Sequence, residues 1–389
     1  MKVAEDVLRA LDAERVALTT LLSDLVAIPT ENPPATGYAP CVARLESALA
    51  ERGLAYERIE IESPAGAPRA AIRAWTAASG PTLCFHGHFD VVPAFDAAQF
   101  LPRLEGDTLF GRGSSDMKSG LVAMLAAATA VKQTGLRGRI ELLLVPDEET
   151  GGAYGTGALA ERGLLPRDAI GMLLPEPTSG VVWHANRGAL TLEVIVRGRA
   201  AHVGLQHQGT NAVERALPLL ARLFDEKRSL FARNGSIMLV GGRVEAGANF
   251  NVVPAECRFT IDRRTNPDED FDLEKRQLLA LLDSARSDGI ELEVRTIQEG
   301  RSSSTPAGGP LARALAEAVA AVTGDTPAFE MCPGLLETRF YAERGVPALA
   351  YEPGILAVSH GPREFVKIDR MMECAKIYAL AAMTMLGVR

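Results

Sequence analysis

Residues 85–96 read FHGHFDVVPAFD, which puts His86, His88, Asp90 and Asp96 into a segment otherwise suited to a buried strand and its exit turn. His88 and Asp90 are two apart, and extended backbone points such side chains to the same side. A metal-binding imidazole needs a partner for its second nitrogen, and a nearby carboxylate can fix its tautomer and raise its basicity. His88 therefore reads as a ligand with Asp90 behind it. A polar turn capped by Asp90 is the plainer alternative, and His86 and Asp96 read as scaffold.

Further acids stand at comparable places. GRGSSDMKSG sets Asp116 just before a helix, in a glycine-rich bend that brings backbone close to whatever the carboxylate holds. Taken alone, a helix cap explains it, because Ser and Asp are favoured there. VPDEETGG places three acids in a row, including Glu148 and Glu149, directly after the apolar run IELLLV. Like charges so crowded call for a cation or a proton. LLPEPTSG adds Glu176, and VSHGP adds His360. Imidazole and carboxylate without thiolate suit zinc, with manganese and cobalt less preferred. Five candidate ligands, one of them bridging, suffice for two ions about 3.5–4 Å apart.

The elements that must position these residues follow an α/β rhythm. An opening helix runs to the turn IPTENPP, where X-Pro steps bar helix continuation. LAYERIEI, AAIRAWTA, PTLCFHGHFDVV and GRIELLLV read as strands, and SGLVAMLAAATAVKQTG reads as a helix closed by Gly135. Such a pattern predicts a mostly parallel sheet covered by helices, with functional groups just beyond the strand ends. From about residue 183 the order becomes β-α-β-β-α-β, a ferredoxin-like α+β unit. The α/β pattern resumes with GGPLARALAEAVAAVTG and VPALAYEPG. The expected division is residues 1–182 and 299–389 for a catalytic domain, with 183–298 inserted.

The chain has 389 residues, 47% of them hydrophobic, and a formal charge of -8. Scattered Lys and Arg on an acidic chain argue against nucleic acid or an anionic membrane as partner, and favour small molecules or peptides. Five widely spaced cysteines without a C-x-x-C pair read as reduced packing residues. The N-terminal segment lacks the apolar core of a signal peptide, and no run has the length of a membrane span. A cytoplasmic protein is expected.

HGHFDVVP, GRGSSDMKSG, DEETGG, EPT, RAAHVG, NVVP and SHGPREF follow one another over nearly the whole chain. In that order they resemble the zinc-dependent acetylornithine deacetylase, succinyl-diaminopimelate desuccinylase, aminoacylase and glutamate carboxypeptidase family. The resemblance implies that His88, Asp116 and Glu176 hold one ion and that Asp116, Glu149 and His360 hold the other, with Asp116 bridging. It implies Glu148 as the general base that takes a proton from a metal-held water, Asp90 as the residue orienting His88, and a cis peptide after Asp116. His202 resembles the histidine that reaches the oxyanion from the inserted domain, often from the partner subunit of a dimer. The inserted domain is then expected to be both lid and homodimer surface. Asn251 and Arg264 resemble positions that hold the substrate's carboxylate, with Arg263 the competing choice.

Two departures bear on specificity. GLLETRF stands where relatives commonly have Gly-Thr-Ser-Asp-x-Arg, so Glu337 replaces an aspartate, and Leu335 and Leu336 replace hydroxyl residues. Leucine cannot replace a buried hydroxyl without losing recognition of a polar group, which favours a less polar acyl or amine moiety than succinyl-diaminopimelate. Arg363 stands where relatives often carry Asp or Asn. The expected reaction is amide hydrolysis of an N-acyl amino acid or peptide-like small molecule by a metal-bound hydroxide. Cleavage of a non-amide C–N bond, and a binding protein that has lost catalysis, are the alternatives.

Overall fold

The computed structural model describes residues 2–63, 68–351 and 354–388. The chain divides into two compact units: Met1–Ala185, Ser304–Met331 and Glu337–Arg389 form the first, and Asn186–Ser303 with Cys332–Leu336 the second.

Alternation of apolar strands and helices gives the first unit a large mixed sheet. Its order includes Ala55–Ile61, Arg69–Trp75, Arg139–Val145, Thr82–His88, Gly171–Leu174, Ala348–Ala350 and Val182–Asn186. The central four, from Arg139–Val145 to Ala348–Ala350, run parallel. The flanking pairings are antiparallel. Parallel strands covered on both faces need near-continuous apolar sequence, and every residue of Thr82–His88 is buried. The strand expected over 346–354 is represented by Ala348–Ala350, while 352–353 lie outside the described residues.

Helix Ser119–Lys132 packs against the sheet and against helix Ile368–Leu386. Its approach is close enough that a Cβ at Gly87, between the two histidines of the strand, would lie 2.6 Å from Leu121 Cδ2. The expected single opening helix is two, Lys2–Ala13 and Arg15–Val26. The Glu14 N–H bonds to the Leu11 carbonyl three residues back, a tightened last turn that ends the first helix. Buried Lys118 donates to the carbonyls of Leu25 and Ile28 at 2.9 Å each, satisfying the end of the second helix. It also ties that end to the bend carrying Asp116.

The second unit runs Gly188–Arg197, Ala212–Asn234, Ile237–Ala246, Glu256–Thr265, Phe271–Ser287 and Leu292–Gly300, alternating as β-α-β-β-α-β. Its antiparallel sheet has the order Ile237–Ala246, Glu256–Thr265, Gly188–Arg197, Leu292–Gly300, which is the ferredoxin-like arrangement. Every second residue of Glu256–Thr265 is buried, as a sheet covered by helices on one face requires. Asn211 and Asp270 cap the two helices, each accepting two backbone N–H groups. Among the described residues no helix is long and apolar enough to cross a membrane.

Candidate metal centre

Within the first unit, the carboxyl ends of the parallel strands bring ligand-type side chains together. His88 ends Thr82–His88, Glu148 and Glu149 follow Arg139–Val145, Glu176 follows Gly171–Leu174, and His360 follows Ala348–Ala350. Asp116 comes from the bend before Ser119–Lys132, which Gly113 enters at φ +82°, a left-handed conformation that favours glycine. The peptide between Asp116 and Met117 is cis.

His88 Nε2 lies 3.4 Å from Asp116 Oδ1, 3.7 Å from Glu176 Oε1 and 3.9 Å from Glu148 Oε2. His360 Nε2 lies 3.3 Å from Asp116 Oδ2 and 3.2 Å from Glu149 Oε2. The two oxygens of Asp116 thus face different histidines. His88 Nδ1 is 3.0 Å from the backbone carbonyl of Asp90 and 3.5 Å from its carboxylate. A carbonyl only accepts, so Nδ1 carries a proton, and Nε2 is the ring nitrogen that faces the acids.

Among the described residues, His88 Nε2, Asp116 Oδ1 and Glu176 Oε1 are buried with no hydrogen-bond partner. Buried polar atoms rarely stand unsatisfied, and three that converge call for a cation. His88, Glu148 and Glu176 present ligand atoms within 4.8 Å of one another, as do His88, Asp116 and Glu149. This oxygen and imidazole donor set fits divalent ions. The proximities leave Glu148 as close to His88 as a ligand would be, so they do not by themselves divide ligand from base.

The electrostatics are those of acids crowded out of water. Burial, reinforced by neighbouring carboxylates, raises Glu148 and Glu176 well above the ordinary carboxyl value, and burial also raises Glu149. Burial pushes Asp116 upward too, but the flanking imidazoles of His360 and His88 outweigh it and hold the group low. Hydrogen bonding to Asp116 and Glu149 takes His360 up to about 11. Burial opposes charge on His88, yet Asp116, Asp90 and the nearby glutamates raise its pKa well above the ordinary value. Protons on the histidines neutralise charge that a dication neutralises equally well.

Behind these ligands lie residues that sequence reasoning named, such as Asp90 and His86, and one that it missed, Asn32. The Asp90 carboxylate accepts the backbone N–H groups of Glu148 and Glu149 at 3.2 Å each, so it fixes the acidic turn as well as flanking His88. Asn32, from the IPTENPP turn, donates to Asp90 at 3.0 Å, Thr150 at 2.9 Å and Asp147 at 3.3 Å. His86 is fully buried, with Nε2 at 2.6 Å from Glu337 and 3.1 Å from the Thr156 hydroxyl, and Nδ1 at 3.1 Å from the Tyr341 hydroxyl. Glu337 thus meets His86 inside the unit, and Arg339 donates to the Gly151 carbonyl at 2.7 Å. Asp96 caps the turn Ala97–Phe100. Arg363 is exposed. The signal for Asn32 was a polar residue inside a proline-rich turn; its partners are distant in sequence.

His202, Asn251 and Arg264 belong to the second unit. His202 is exposed and caps the short turn Val203–Gln208, accepting the Gly204 N–H at 3.1 Å. Asn251 is half-buried. Arg264 is half-buried and paired with Asp262 at 2.7 and 2.9 Å. Arg263 points into the core, where Glu269 and Glu274 hold it. Its guanidinium is therefore committed.

Residues 84–384 match the model of peptidase family M20/M25/M40, and the chain belongs to that family. It is 31% identical over 347 residues to the succinyl-diaminopimelate desuccinylase of Gluconobacter oxydans (strain 621H), covering 84% of this chain and 87% of that one. It is 30% identical to the acetylornithine deacetylase of Myxococcus xanthus over 96% of this chain and 98% of that one. The fold is similar to that of the di-peptidase Dug1p from Saccharomyces cerevisiae, with a TM-score of 0.78, 16% identity and 98% of each chain covered. The protein is accordingly a hydrolase of C–N bonds in a metallopeptidase family, with a site for divalent metal.

Proposed function

We propose that the protein hydrolyses the amide bond of an N-acyl amino acid or a peptide-like small molecule, using two divalent ions with zinc preferred and cobalt or manganese as substitutes. The observation that carries this reading is the convergence of three partnerless buried ligand atoms, on His88, Asp116 and Glu176, beside the half-buried carboxyl of Glu148. His88, Asp116 and Glu176 would hold one ion, and Asp116, Glu149 and His360 the other. When bound, the ions polarise the amide carbonyl and acidify water.

Glu148 takes a proton from the attacking water and delivers it to the departing amine nitrogen. Asp90 holds the backbone of Glu148 and Glu149, which fixes where that proton is collected. His202 supplies a donor to the oxyanion that forms on the carbonyl, and its exposed side chain is available for that contact. Asn251 and Arg264 receive the substrate's carboxylate; pairing only with neighbouring Asp262 leaves Arg264 able to exchange partners, whereas Arg263 is buried in its own ion pairs. Leu335 and Leu336 favour a less polar acyl or amine group than the desuccinylase relative's name implies. The second unit serves as lid and homodimer surface.

A cytoplasmic setting is consistent with five buried cysteines, none of which forms a disulfide. The test is a hydrolysis panel of N-acetyl, N-formyl and N-succinyl amino acids and dipeptides, with metal content measured alongside. Release of the free amine, abolished by chelation and restored by zinc, cobalt or manganese, is expected. A metal-replete sample inert across the panel would overturn the reading.

A further inference from the structure

Asp116 and His360 face one another, yet no regular element places either. Asp116 sits at non-helical φ and ψ in the bend before Ser119–Lys132. His360 has left-handed backbone at φ +63°, a conformation bulky residues avoid, and its side chain is 52% exposed. Packing alone holds that ring weakly. His88 and Glu176, by contrast, leave central strands directly.

Behind the two loosely placed ligands lies a buried ion pair. Glu364 and Arg112 are 2% and 1% exposed. Glu364 Oε1 accepts the N–H groups of Ser115 at 2.9 Å and Asp116 at 3.0 Å, while Oε2 accepts from Arg112 Nη1 at 2.6 Å. Arg112 Nη2 donates to the His360 carbonyl at 3.3 Å, and to the Pro93 carbonyl at 3.5 Å. The Gly111 N–H donates to the Glu364 carbonyl at 3.0 Å, and Phe365 pairs with Phe110 in a short antiparallel ladder. Ladder, ion pair and carbonyl contact thus lace the Asp116 bend to the His360 loop. The distance between two ligands contributed by remote parts of the chain is set through one carboxylate.

We propose that Glu364, acting through the Asp116 backbone and through Arg112, is a positioning residue for the ion held by Asp116, Glu149 and His360, and that the ion held by His88, Asp116 and Glu176 depends on it far less. Asp116 serves both ions, but the other two ligands of the second set are fixed by the sheet. The proposal rests on the two-ion reading above. Residues behind metal ligands commonly change affinity by roughly 10–100-fold when removed, because they fix the ligand's orientation before the ion arrives.

The test is calorimetric titration of the metal-free protein with zinc, with bound zinc counted by elemental mass spectrometry and folding checked by circular dichroism. Wild-type protein is expected to take up two equivalents. Glu364→Ala is expected to keep one at wild-type affinity and to bind the other roughly 10–100-fold more weakly. Glu364→Gln retains the shape and one acceptor oxygen, and is expected to weaken the same equivalent by less; it decides the question alone should the alanine variant not fold. A folded variant that binds both equivalents as wild type does, or that weakens both together, overturns the role given to Glu364. Wild-type protein that binds no zinc overturns the two-ion reading itself.

Discussion

Glu148 and Glu149 are adjacent, yet their surroundings separate them. Glu149 reaches His360 at 3.2 Å and also accepts the Val92 N–H at 3.2 Å, so its carboxylate is fixed on both sides. Glu148 lies 3.9 Å from His88 Nε2, close to the 3.7 Å of the proposed ligand Glu176, so its proposed role as general base and not this distance sets it apart. Glu148→Ala is therefore expected to retain bound zinc while turnover falls by about 10²–10⁴-fold, the usual range for a lost general base. In the same assay His202→Ala is expected to slow turnover by about 10²–10³-fold with metal content unchanged. Near-normal turnover of the first variant, or depleted metal in the second, would remove the residue from its assigned role. At this scale the sequence was readable where chemistry dictates residue type, as with histidines and acids following apolar runs. Asn32 and Glu364 were not readable, because their partners are backbone N–H groups or carboxylates brought near only by the fold. Glu364 and Asp116, for example, are 248 residues apart.

Strands of the parallel sheet place His88, Glu149 and Glu176 by ending on one side, and this much follows from strand and helix alternation, whereas Asp116 and His360 come from irregular segments. The second unit was similarly legible, since the β-α-β-β-α-β order read from about residue 183 is the order in which its strands and helices follow one another. The break at Glu14 was not, because nothing in the polar spacing there distinguishes a tightened turn from a continuous helix. A further joint is electrostatic. Glu269 accepts the Asn266 N–H at 2.6 Å and the Ser236 hydroxyl at 2.7 Å while paired with Arg263, tying the end of Glu256–Thr265 to the start of Ile237–Ala246. Burial pushes its pKa up, but these donors outweigh burial and bring it from 4.5 down to about 2. A carboxyl depressed on folding contributes stability that is full above its ordinary pKa and lost as pH falls through the folded value. The wild-type advantage over Glu269→Gln in urea midpoint is thus expected to be constant above pH 4.5 and to shrink between pH 4.5 and about 2. A difference that stays constant across that interval would contradict the joint.

For the whole molecule, the second unit carries a surface that suits a second copy of the chain. Leu217, Phe224 and Phe231 recur every seven residues along Ala212–Asn234, and all are exposed, at 56%, 40% and 69%. Residues so spaced share one helix face. Among the described residues the neighbouring strand Ile237–Ala246 is an edge of its sheet, paired with a strand on one side only. An apolar stripe beside an open edge is what two identical subunits can cover by pairing about a twofold axis. Sedimentation is expected to give a dimer for the wild type and a monomer for Leu217→Glu with Phe231→Glu; a monomeric wild type would contradict the interface. The sequence suggested a dimer only through resemblance, since exposure of this stripe becomes evident only once the helix has been packed.

The central claim is that five side chains, from strand ends and from two irregular segments, converge on two divalent ions. Anomalous scattering at the zinc edge, from crystals grown with excess zinc, tests it most directly. Two peaks about 3.5–4 Å apart are predicted, one among His88, Asp116 and Glu176 and the other among Asp116, Glu149 and His360. A map without peaks at these side chains would contradict the account.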